Sequence, residues 1–88
     1  MLMGKVVGSV VSTRKNENLV GNKFMIIEVA DHMRTGAKQL IAIDKIGAGI
    51  GEWVLVAQGS AARIGSGMPD APVDAAIVGI IDEGLGLE

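Results

Sequence analysis

Five runs rich in valine and isoleucine, at residues 6–13, 23–29, 40–44, 53–58 and 76–82, follow one another along this chain, separated by clusters of Gly, Asn, Asp or Pro. Runs of this length and composition form short β-strands, and five at this spacing close most readily into a small barrel. In KVVGSVVST, alternation places Val6, Gly8, Val10 and Ser12 on one side and Val7, Ser9, Val11 and Thr13 on the other. Gly8 and Gly79 interrupt strand patterns, where glycine marks a bulge or the tight bend of a barrel wall. Helical signal is confined to SAAR at 60–63, where Ser60 can cap and Ala61 and Ala62 can propagate one turn. Residues 64–75, which contain both prolines, read as an irregular loop before the last strand. The expected fold is all-β: a small five-stranded OB-like barrel with one short helical turn, in a single domain spanning 1–88.

A chain of 88 residues buries only about 60 to 65% of the surface that its unfolded form exposes. Yet 49% of its residues are apolar, and Phe24 and Trp53 are its only aromatics. So much aliphatic surface on so small a body implies burial against other subunits. Trp53 opens an apolar strand and reads as a core or subunit contact. The formal charge of −2 and the lack of a basic groove with stacking aromatics argue against nucleic acid as a partner. Without cysteine there is no disulfide framework, thiolate nucleophile or thiolate zinc site. The opening MLMGKVVG has no signal-peptide pattern, and no apolar run reaches the length of about 20 residues that a membrane helix needs.

Residues 47–67, GAGIGEWVLVAQGSAARIGSG, are as rich in glycine as a phosphate-binding loop. Their register is different. A Walker loop ends in Gly-Lys-Ser/Thr and a dinucleotide loop opens a helix, whereas here G-A-G-I-G leads through Glu52 into the strand WVLVAQ. Glu52 also places negative charge where a phosphate would sit. A small-molecule or nucleotide module built on 47–67 is therefore the alternative reading. His32, the only imidazole, lies in the turn ADHMRTG, and the carboxylate pairs Asp70/Asp74 and Asp82/Glu83 fit turn geometry and a strand end. No catalytic set, metal site or cofactor is expected. Arg63 follows the two alanines and is placed to bond free carbonyls of the turn or a carboxylate such as Asp74.

Several stretches fall in an order that resembles a known family. They are Gly8, Val10, Thr13 and Lys15; Leu19 and Gly21; D-x-x-GAG-x-G-E-W-V at 44–54; GSAAR at 59–63; and DAAIVGIID at 74–82. Together they resemble the vertex proteins of bacterial microcompartment shells. The resemblance implies a non-enzymatic shell protein that assembles into a ring of five and caps the vertices of an icosahedral shell otherwise built from hexameric tiles. It also implies a cytoplasmic location, a homopentamer and hexameric shell proteins as partners, and no cofactor. The residues expected at the axial loop and subunit interface are Thr13, Lys15, Gly47, Ala48, Gly49, Glu52, Ser60, Ala61, Ala62, Arg63 and Asp74. Small residues among them would let five backbones converge near an axis. The loops at 30–39 and 64–73 are the natural places for tile contacts.

Overall fold

The computed structural model describes residues 1–11, 17–19, 23–33, 36, 38–67 and 73–82, the side chains of Asn18 and His32 excepted. Strands β1 (Leu2–Val10), β2 (Lys23–Val29), β3 (Gln39–Asp44), β4 (Trp53–Gln58) and β5 (Ala75–Ile80) close a barrel in the order β1-β2-β3-β5-β4. Helix α1 (Ser60–Gly65) connects β4 to β5. The ladders are antiparallel except for the short parallel seam of β3 with β5, where Ile43 pairs with Ala76 and Asp44 with Ile77. The all-β barrel and, among the described residues, its single α-helix match the expectation. The ADHMRTG segment begins with a 3-10 turn at Asp31–Met33.

β2 and β4 have the expected bounds, β3 starts one residue early, and β5 starts one residue early and ends two residues early. β1 differs more, starting at Leu2 because Leu2 to Lys5 form a ladder with Val56 to Trp53 of β4. That partner lies some fifty residues away, so no local pattern announces it. β1 ends at Val10, and Ser12 and Thr13 lie outside the described residues.

The alternation expected along β1 fails at Val7. Val6 pairs with Ile27 but Gly8 pairs with Ile26, so Val7 is an extra residue in the ladder. An inserted residue reverses the facing of everything beyond it. Val6 stays with Ile27 in the interior, whereas Gly8 and Val10 stand opposite Ile26 and Phe24 on the outer wall. A second bulge leaves Val78 extra, since Leu55 pairs with Gly79 and Val56 with Ile77. Gly8 and Gly79 thus both stand beside bulges, as their positions predict.

Two apolar clusters hold the wall from its two sides. Inside the barrel, Val6, Met25, Ile27, Ala42, Ala48, Val54, Val56, Ala75 and Ile77 pack together. Outside it, Ile43, Ala57, Ala62, Val73 and Ala76 form a second cluster with Leu19, Phe24 and Val78 against it. Each fully buried valine or isoleucine contributes about 1.5–3 kcal/mol. A helix as short as α1 has no stability of its own. It is held because Ala62, with no exposed surface, is sunk in the outer cluster.

The ends of α1 depart from the sequence reading. Gly59, with φ 63°, is the N-cap and makes no side-chain cap bond, so Ser60 lies inside the first turn instead of capping it. The helix runs past Arg63 to Gly65, and Ser66 closes it, its N–H donating to the Ala62 carbonyl and its hydroxyl to the Arg63 carbonyl at 3.1 Å. Ile64 and Gly65, expected in the following loop, are therefore helical.

Candidate functional site

The segment between β3 and β4 is the most densely bonded connection among the described residues. Asp44 ends β3 with its side chain 4% exposed, and it is the buried charged residue of that set. Its Oδ1 accepts N–H bonds from Ile46 at 2.9 Å and Gly47 at 3.1 Å, and its Oδ2 accepts from Ala48 at 2.8 Å. Aspartate bonding amides a few residues ahead is ordinary turn chemistry, here extended over three successive donors. Gly47 follows at φ 83° and Gly51 at φ 92°, a region that side chains other than glycine's rarely enter. Ala48 between them points inward and is buried in the interior cluster, closing that end of the barrel.

The far half of the loop is tied as firmly. Gly49 donates its N–H to Glu52 Oε1 at 2.5 Å, and the Glu52 N–H returns to the Gly49 carbonyl at 3.1 Å. Gly51 donates to the Val6 carbonyl at 2.7 Å, while the Val6 N–H reaches the Glu52 carbonyl at 2.9 Å. The loop is stitched to β1 at one residue, and Ile50 at its tip is left 68% exposed.

This bonding decides the chemistry of the glycine run. A phosphate-binding loop offers free, converging N–H groups to an anion. Here the amides of 46, 47, 48, 49 and 51 already donate within the chain, four of them to the carboxylates of Asp44 and Glu52. The chain's own carboxylates occupy the place of a ligand anion. The glycines serve a fixed shape.

α1 carries the other half of the expected site. Arg63 is half-buried, and its Nη1 donates to the Val73 carbonyl at 3.2 Å, fastening the helix to the segment that leads into β5. The expected acceptors were the free carbonyls of its own turn or a carboxylate; the carbonyl it bonds instead belongs to Val73, beyond the helix. Among the described residues no ion pair joins Arg63 to Asp74, whose backbone carbonyl instead accepts the Gly59 N–H at 2.8 Å. Trp53 is half-buried at the start of β4, its carbonyl accepting the Ile81 N–H at 2.8 Å.

The expected site residues divide by exposure. Gly47, Glu52, Ser60, Ala61 and Asp74 lie on the surface, and Gly49 and Arg63 are half-buried. Ala48 and Ala62 turn their side chains into the subunit's own two clusters. Thr13, Lys15, Asp70 and Glu83 lie outside the described residues. Sequence reasoning gave Asp44 no role of its own. The signal was an aspartate followed at two to four residues by the amides of a glycine run.

The family model described as "Ethanolamine utilisation protein EutN/carboxysome" matches residues 1–82. The carboxysome shell vertex protein CcmL of Synechocystis is 48% identical over 83 residues, covering 93% of this chain and 83% of the relative. The solved structure of CcmL from Nostoc superposes with a TM-score of 0.86 at 44% identity, covering 97% of this chain and 93% of that one. The pentameric microcompartment shell protein GrpN of Rhodospirillum rubrum superposes at 0.80 with 40% identity, covering 94% and 95% of the two chains.

Proposed function

The chain belongs to the EutN/carboxysome family of microcompartment shell vertex proteins, and from that premise we propose that it closes the corners of a shell whose flat facets are built from hexameric tiles. It is a structural shell protein that forms cyclic pentamers of a small β-barrel. The observation that carries this reading is the near-complete overlap, in sequence and in barrel, with shell vertex proteins. Flat hexagonal tiling does not close, and a ring of five wedge-shaped units supplies the missing curvature. Such a ring follows from one head-to-tail contact repeated until the rotation closes.

The role needs a rigid subunit more than a reactive one, and the bonding of the 45–52 loop fits that need. We place this loop near the fivefold axis. Gly47 and Gly49 present their backbone there, and Ala48 braces the loop from inside the barrel. Ala61, Ser60 and Arg63 from α1, and Asp74 just before β5, lie toward the subunit boundary in this arrangement. Thr13 and Lys15 are assigned to the same boundary by family resemblance.

Gly49→Val tests the placement. A Cβ at this position meets the flexible end of Glu52 at 3.3 Å, and the backbone there is not in the left-handed region. The barrel should therefore keep its circular dichroism and melting temperature while light scattering shows fewer pentamers. A variant that assembles and caps co-expressed shells like the parent would move the loop away from the axis. Parent protein that scatters as a monomer at all concentrations would remove the ring itself.

A further inference from the structure

A ring built by a head-to-tail contact sets one patch of each subunit against a different patch of the next, so every copy must carry two unlike complementary surfaces. Two apolar features of the outer surface, each on regular secondary structure, meet that requirement. The first is convex: Ala61 and Ile64 stand three residues apart on the exposed side of α1, and Ile64 is 74% exposed. The opposite side of the same short helix is fixed by fully buried Ala62 and by the bond from Arg63 to the Val73 carbonyl. The second is concave: a groove of about 210 Å³ lies over the β2–β3 wall and the start of β5, lined by the apolar Leu19, Phe24, Ile41, Ile43, Val73 and Ala75, with the exposed carboxylate Asp74 among them. Ile41 in its lining is 52% exposed.

We propose that Ile64 of one copy seats in the groove at Ile41 of the next copy in the ring. This assignment rests on the pentameric reading given above and names the surfaces that make it. An apolar cavity of about 150 Å³ is enough to take up a benzene molecule, so the groove has room for the branched side chain of isoleucine. Ala61 beside the knob is small enough to let the helix lie close to the wall. The other large exposed apolar side chains among the described residues are placed differently. Met1 and Val11 border chain ends or undescribed segments, Ile46 and Ile50 ride the 45–52 loop, and Val7 sits at the β1 bulge. Packing Ile64 on Ile64 would make a twofold contact, which ends at a dimer and builds no ring.

The chain contains no cysteine, so placed cysteines report the contact without background. The double variant Ile41→Cys with Ile64→Cys, treated with a short bis-maleimide, should give a ladder on a denaturing gel that reaches five subunits. Each single variant should stay at the monomer position, since neither residue meets its own copy. Co-expressed single variants should give linked dimers and nothing larger, and they serve as the measurement should the double variant fold poorly. Particles of pentameric mass that yield neither the ladder nor the dimers overturn the pairing while leaving the ring intact. A parent that is not pentameric by light scattering overturns the reading beneath it.

Discussion

The 45–52 loop and helix α1 are both short connections beside glycines, yet they are held by opposite means. In the loop, two carboxylates and a backbone exchange with Val6 take up successive amides, and a single alanine, Ala48, enters the core. In α1 no side chain caps the N-terminus, and the fully buried Ala62 anchors the helix in the outer cluster. One connection is fixed by bonds that survive only if each donor finds its acceptor, the other by the fit of a methyl group. A polar substitution should therefore loosen the loop and a steric one the helix.

Asp44→Ala should have the largest effect. It strips the acceptor from the amides of Ile46, Gly47 and Ala48, and the bond to Ala48 is fully buried. Leaving a buried donor unmet costs about 1–3 kcal/mol, and the two less buried amides add to it, so the loss should be about 3 kcal/mol or more. Asp44→Asn keeps one carbonyl oxygen and should lose less than the alanine variant. Urea unfolding would check both. Equal and small losses would mean that the glycines, not the carboxylate, hold the loop.

Ala62→Leu is the matching assault on α1. Added methylenes have no room among Ile43, Ala57, Val73 and Ala76, and overpacking of this kind costs about 1–3 kcal/mol. The helix should be displaced while the barrel stays closed. Hydrogen exchange should then quicken at 62–67 and leave β1 and β2 protected. A variant as stable as the parent would show that the outer cluster is loose and that Arg63 does the anchoring.

Gly51→Ala should come next, at about 1–2 kcal/mol, because the positive φ at this position is strained for any side chain even though open space surrounds it. The cost should come from the backbone alone, without a clash. Thermal melts would register a fall of several degrees. An unchanged melting temperature would show that the 49–52 turn relaxes, which would weaken the contrast between a rigid loop and a packed helix.

How much of this was legible in the sequence depended on the distance of the forces involved. Strands β2 and β4 lie between turn formers and were readable from local pattern alone, and so were the bulge glycines Gly8 and Gly79. The start of β1 was not, because Leu2 to Lys5 become strand only by pairing with β4. The reversal of facing after Val7 was hidden for a related reason, since a bulge is a property of two strands in register. At the site, the register of GAGIG excluded a nucleotide loop, and the structure supplied the cause in Asp44 and Glu52. The small residues were harder to read. Ala48 and Ala62 look alike in sequence to Ala61, but the first two fill cores and the third lies on the surface.

Glu52→Gln should have the smallest effect, and it separates the loop's two tasks. Glu52 is exposed, so its bond to Gly49 competes with water, and a glutamine carbonyl can replace the carboxylate oxygen. The loss of subunit stability should be about 0.5 kcal/mol, the low end for a single hydrogen bond. The ring should respond differently. If the loop lies near the fivefold axis, the carboxylates of neighbouring copies face one another, and removing them should make the pentamer harder to dissociate at low salt. That gain should fade toward about 1 M salt, where the screening length falls to about 3 Å. Dilution series by light scattering at low and high salt would measure it. A salt-independent change, or none, would place Glu52 away from its symmetry mates and leave it the purely local role of accepting the Gly49 amide.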